Sequence, residues 1–139
     1  MKVLFDTNVI IDALTERYNE YSYSQNLLLK VVDQKIEGYI CSNQVTDIYY
    51  ILRKYFDENK RRRIIKNILE TFNVLPLLPS FLSYSVYSEI SDFEDSVIDE
   101  IAKVNMIDYI VSNNTSDFIN SKSIIINPKD LSVLTNLEA

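Results

Sequence analysis

The sequence predicts an α/β fold of three layers, with helices on both faces of a short central parallel sheet. Three observations carry this. Short, nearly all-apolar runs recur at 2–5 (KVLF), 39–41 (YIC), 108–112 (DYIVS) and 123–127 (SIIIN). Longer segments with apolar residues at helical spacing separate them. There is no internal repeat, low-complexity segment or Pro/Gly-rich linker. Strands apolar along their whole length are covered on both faces, and the crossover helices are the cover. With 139 residues, 47% of them hydrophobic, the chain suits one domain over 1–139, large enough to bury a core.

The elements follow in order. KVLF is a strand, and Asn8 caps a short helix through Leu14. Residues 20–36 carry a helical stripe of Leu27, Leu28, Val31, Val32 and Ile36. YIC follows Gly38 as the second strand. Ser42 and Asn43 are N-cap residues for a helix over 44–56. A helix over 58–71 turns Ile64, Ile65, Ile68 and Leu69 inward. Residues 73–79 (NVLPLLP) are a strand punctuated by proline. Helices over 80–90 and 93–105 precede the last two strands.

Absences narrow the chemistry. The chain has no histidine, one cysteine (Cys41) and one glycine (Gly38). Ser-His and Cys-His catalysis and histidine metal sites are excluded, and a single cysteine without histidine argues against a zinc site. A glycine-rich phosphate loop is impossible. A lone cysteine forms no internal disulfide, and burial as a small apolar residue is its plain reading. Carboxylates are plentiful: 20 Asp and Glu against 14 Lys and Arg, a net charge of −6. Any metal is therefore a hard cation held by oxygen, Mg²⁺ or Mn²⁺. No apolar run approaches the roughly 18–20 residues of a membrane span. The first apolar run is too short for a signal peptide, so the expected location is the cytoplasm, without a membrane.

Ligands of such folds sit beyond the carboxyl ends of the strands. Asp6 directly follows the first strand, Asp47 lies about a turn into the helix after the second, and Asp117 closely follows DYIVS. Asp95 lies near the start of the helix in SDFEDSVIDEIA (91–102). If that helix begins at the same edge, four carboxylates converge. Each also has a plainer reading. Asp6 suits a turn, Asp47 a solvated helix face, and Asp117 a cap. Asp92 suits an N-cap, with Glu94 and Asp95 in a first turn favoured by the helix dipole.

The motifs tip the choice toward a shared site. VLFDTNVIIDAL (3–14), SNQVTDIYYILRK (42–54) and DFEDSVIDEIAKVNMIDYIVSNNTSDF (92–118) occur in order. Together they resemble a PIN domain, the nuclease fold found in VapC-type toxins of toxin–antitoxin pairs. The resemblance implies metal-binding, catalytic acids at Asp6, Asp47, Asp95 and Asp117. It implies that Asn8 orients Asp6, and that Ser112 and Asn114 line the site. It further implies Mg²⁺ or Mn²⁺, hydrolysis of RNA, an antitoxin partner and a homodimer. Three departures stand out. The second acid is usually glutamate and here is Asp47, whose shorter reach favours a water-mediated metal contact. The residue after Ser112 is often arginine and here is Asn113. The helix after Asp95 carries Asp99 and Glu100 where small apolar residues are usual. Asp99 is the substitute ligand should Asp47 not serve.

An acidic chain must still hold a polyanion. Seven of the 14 basic residues lie in 53–66, among them Arg61, Arg62 and Arg63. They form a phosphate-contacting arm, a solvated helix face, or a contact for an acidic antitoxin segment. Tyr49 and Tyr50 suit core or antitoxin-binding surface, or stacking on bases. A haloacid-dehalogenase-like phosphatase would need an acid where Asn8 stands, and a receiver domain an acidic pair near the start. The competing function is a PIN fold that binds RNA or a partner without cutting.

Overall fold

The computed structural model describes residues 1–137; the final two residues of the expected domain lie outside them. The order is β1 (Lys2–Phe5), α1 (Thr7–Thr15), α2 (Tyr21–Val32), β2 (Glu37–Cys41), α3 (Ser42–Ile51), α4 (Glu58–Thr71) and β3 (Asn73–Leu75). Then come α5 (Pro79–Ser85), α6 (Phe93–Val104), β4 (Tyr109–Val111), β5 (Ile125–Ile126) and α7 (Pro128–Leu137). Short 3-10 turns cover Leu52–Lys54 and Thr115–Phe118. All five strands pair in parallel, in the order β3-β2-β1-β4-β5.

Alternation along the strands builds the three layers. Val3, Phe5, Ile40 and Val111 face a core closed by α1–α4 and α7, through Ile10, Leu27, Ile48, Ile68 and Leu131. Leu4, Cys41 and Ile110 face the opposite core, closed by Phe81 of α5 and Val97, Ile98 and Ile101 of α6. The parallel sheet is thus covered on both sides, as its apolar strands require. Among the described residues no helix is long and apolar enough to cross a membrane.

The boundaries differ from expectation for local reasons. Asp6, not Asn8, caps α1, because its Oδ1 accepts from the Thr7 amide at 2.8 Å. Cys41, not Ser42 or Asn43, is the N-cap of α3, and its amide donates to Gln44 Oε1 at 2.7 Å. α2 stops at Val32, so Ile36 is buried from the turn before β2. β3 ends before Pro76, which has no amide for the ladder, and Pro79 opens α5. α7 lies outside the expected elements, although Leu131, Leu134 and Leu137 recur at helical spacing. Asn127 starts it by a reciprocal cap: the Asp130 amide donates to Asn127 Oδ1 at 2.8 Å, and Asn127 Nδ2 to Asp130 Oδ2 at 2.9 Å. Pro128 takes the first helical position, which needs no amide.

The single glycine serves packing, not a turn. A Cβ on Gly38 would stand 2.7 Å from Val31 Cγ1 and 2.9 Å from the Phe72 ring. The left-handed backbone positions fall instead to Glu16, Tyr18, Gln34, Met106 and Asn120. Gly38→Ala should therefore cost about 1–3 kcal/mol, as overpacking does. Urea unfolding is the measurement, and an unchanged midpoint would show that Val31 and Phe72 move aside freely.

Candidate active site

Asp6 is delivered by the middle strand. Its amide continues the β1 ladder, donating to Val111 O at 2.9 Å. The chain then turns into α1, and the carboxylate is left at the carboxyl edge of the sheet, 7% exposed. Oδ2 accepts from Ser112 Oγ at 2.7 Å, just past the end of β4. The same hydroxyl accepts from the Asn114 amide at 3.0 Å. From β1 the chain crosses first toward β2 and β3, and later to β4 and β5 on the other side. Such a switch point leaves a crevice at the strand ends.

Gln44 sets the angle of α3 to this edge. It is fully buried, and its Nε2 donates to Phe5 O at 2.8 Å and to Thr7 Oγ1 at 3.2 Å. Its Oε1 takes the Cys41 amide. One side chain thus joins the end of β1, the start of α1 and the start of α3. Asp47, three residues on, is turned toward the same crevice.

The crevice is a cavity of ≈380 Å³ lined by Asp6, Asp47, Asp92, Glu94, Asp95 and Asp117. Thr7, Asn8, Tyr50, Ile51 and Asn114 complete the lining, with no lysine or arginine among them. Asp92 caps α6, accepting from the Asp95 amide at 2.9 Å, which brings the first turn of that helix to the cavity. The electrostatics reflect the crowding. Asp95 is pushed up to about 7 by burial, then by the charges of Asp6, Asp92, Asp117 and Glu94. Asp6 is raised chiefly by burial, against the hydrogen bonds from Ser112 and Thr7. Glu94 is raised by burial and by Asp47 beside it.

All four expected acids therefore face one cavity, with Asn8 and Asn114. Asp92 and Glu94 join them, although the sequence marks them only as a cap and a first-turn residue. Three expectations change. Asn8 does not hold Asp6: its Oδ1 faces Arg17 Nη2 at 3.4 Å, and Ser112 and the Thr7 amide orient the carboxylate instead. Ser112 is wholly buried behind Asp6 and does not line the cavity, which it touches through Asp6 and the Asn114 amide. Asp99 is no substitute ligand. It accepts from Ser121 Oγ at 2.6 Å and from the amides of Lys122 and Ser123 at 3.1 Å, while Glu100 pairs with Lys122 at 3.0 Å. Arg61, Arg62 and Arg63 lie on α4, away from the acids. Arg61 packs 4.6 Å over the Tyr49 ring, and Arg62 bonds Glu58. Arg62 lines a separate groove with Val45, Tyr49, Ile65 and Lys66, across α3 from the acids. Cys41 is no nucleophile, since burial pushes its thiol up to about 12.

The donor chemistry fits a hard divalent cation: oxygen ligands only, mutually repelling, and no basic side chain on the cavity wall. The acids ring the space without closing on one point. Among the described residues no group of three or more Asp, Glu, His or Cys side chains stands close enough to hold an ion together. A bound ion would have to draw them inward.

The raised carboxyls set a sign for stability against pH. An acid whose folded-state pKa is raised binds its proton more tightly folded than unfolded. It stabilises at low pH, and that contribution is lost as pH rises through the folded value. In chelator, the thermal midpoint should fall between about pH 4 and 7, the span from the ordinary carboxyl value of 3.8 to the folded value of about 7 at Asp95. Asp95→Asn should flatten the fall. A midpoint that climbs over this window would contradict the crowding.

Comparison with known proteins bears on the family and the fold. The sequence pattern of the PIN domain matches residues 2–116. Ribonuclease VapC1 of Aquifex aeolicus (strain VF5) is 27% identical over 120 residues, 83% of either chain. The structure of VapBC2 from Rickettsia felis, bound to a promoter DNA fragment, superposes with TM-score 0.69 at 18% identity, over 91% of this chain and 98% of that one. A toxin–antitoxin complex from Klebsiella pneumoniae gives TM-score 0.68 at 22% identity, over 91% and 97%. With the family pattern running through β1, α3, α6 and β4, this chain belongs to the PIN-domain family.

Proposed function

We propose that the chain is a Mg²⁺- or Mn²⁺-dependent endoribonuclease, acting as the toxin of a toxin–antitoxin pair. The observation that carries the reading is the cavity at the sheet edge, walled by six carboxylates and no basic side chain. The naming of one relative as a ribonuclease, and of one structural neighbour as part of a toxin–antitoxin complex, supports it.

Asp6, Asp95 and Asp117 would hold the cation, with Asp47 reaching it through water. When bound, such an ion activates water and offsets charge on the attacked phosphate. The chain's own work is positional. Ser112 and the Thr7 amide fix both oxygens of Asp6. Gln44 fixes α3, and with it Asp47. A carboxylate of the cavity can accept the proton released by the attacking water. Arg62 and Arg63 on α4 would hold phosphates farther along the RNA.

A second reading is a PIN fold that binds RNA or a partner without cutting. The open spacing of the acids favours it, and metal binding without cleavage would single it out.

Cleavage of a labelled RNA should stop in EDTA and return with Mg²⁺ or Mn²⁺. Asp6→Asn and Asp95→Asn should abolish it in a folded protein, and Asp47→Ala should cost less than Asp6→Ala. Wild-type cleavage by Asp6→Asn would discard the site. Arg62→Ala with Arg63→Ala should lower the log–log salt slope of RNA binding by about 0.7 for each phosphate no longer neutralised. An unchanged slope would make the α4 arginines a solvated face.

A further inference from the structure

A second cavity, of ≈410 Å³, adjoins the acidic one, and Asn8 and Asn114 line both. Two of its three charged residues, Asp12 and Arg17, are matched to each other. Asp12, 3% exposed, accepts from Arg17 Nε and from Asn113 Nδ2. Arg17 then reaches Asn8 Oδ1 through Nη2. What remains for a ligand is the amides of Asn19 and Asn114 and the rings of Tyr18 and Tyr21, because Asn113 Nδ2 is committed to Asp12 and Asn8 Oδ1 to Arg17, while Glu20 has no ion pair among the described residues.

Tyr18 is the odd residue. It is 73% exposed, so its ring gains little from the core. Its backbone is left-handed, at φ 65°, in a loop where Glu16 is also left-handed at φ 55°. A bulky side chain in that region is costly and marks a loop shaped for something other than stability. The Arg17 guanidinium lies 5.3 Å from the ring centre and steadies it.

We propose that this cavity is a base-recognition subsite, in which Tyr18 stacks on a single-stranded nucleobase beside the cleaved phosphate and the asparagine amides read its edge. An amide offers both a donor and an acceptor, the pattern that base edges present. Aromatic rings hold unpaired bases by stacking. An acidic peptide would find Arg17 already paired to Asp12. The shared wall of Asn8 and Asn114 sets the base next to the acids. The placement beside a cleaved phosphate rests on the nuclease reading; the stacking of a base on Tyr18 does not.

The two are tested apart. The binding probe is a ribotrinucleotide with central 2-aminopurine and methylphosphonate linkages, which carry no charge for the acids to repel. Stacking quenches its fluorescence. Wild type should quench it. Tyr18→Asn, which suits a left-handed backbone but lacks the ring, should bind about tenfold more weakly, the loss of one stack. Tyr18→Phe should keep the quench. No quench in wild type, equal quench with Tyr18→Asn, or equal loss with Tyr18→Phe overturns the subsite. Cleavage of a randomised RNA pool in Mg²⁺ reads the nuclease separately. Quenching without cleavage upholds the subsite and rejects the nuclease, and cleavage without Tyr18-dependent quenching does the reverse.

Discussion

A carboxylate buried at the end of the central strand is the constraint around which the rest of the molecule is arranged. Removing Asp6 from water is costly unless both oxygens find donors. The Thr7 amide supplies one and the Ser112 hydroxyl the other. The first ties Asp6 to the start of α1 and the second to the end of β4. Gln44 then locks α3 to the same strand end through Phe5 O. The edge is rigid because satisfying one charge requires β1, α1 and β4 to meet at one place, and Gln44 adds α3 to the joint.

The buried and half-buried acids divide by how they are satisfied. Asp12, Asp99 and Glu100 each have partners within the fold: Arg17 and Asn113, the segment 121–123, and Lys122. They are anchors. The acids around the cavity lack basic neighbours on its wall, and Asp95 is raised first by burial and then by the carboxylates around it. Residue type alone does not separate the two kinds. Their surroundings do: a paired acid is tied into the fold, and a cavity acid faces other carboxylates.

Much of the architecture is legible in the sequence because it rests on local pattern. Four apolar runs mark four of the five strands, and KVLF ending in Asp6 places the first acid at a strand end. What stays hidden has physical causes. Gln44 resembles any polar helix residue, and its role appears only when Phe5 O is brought beside it. Asp99 resembles a spare ligand because its partners lie 22–24 residues away. Asp92 is legible as a cap, but a cap at the sheet edge also becomes a cavity wall. The start of α7 carries a readable signal in Asn127-Pro128-Lys129-Asp130, a proline behind a reciprocal cap. Leu131, Leu134 and Leu137 follow it at helical spacing, so apolar pattern marks this helix as it marks the others.

The chain spends its one glycine on a tight approach between β2 and its covering helices, while five bulkier residues hold left-handed turns. Glycine is cheaper in such turns, so the fold carries conformational tension that a few substitutions could relieve. Glu16, Gln34 and Met106 lie just past the ends of α1, α2 and α6. Drift toward glycine there would harden the scaffold without touching the acids. This sequence therefore sits below the stability its architecture allows, with mutational headroom at its helix ends.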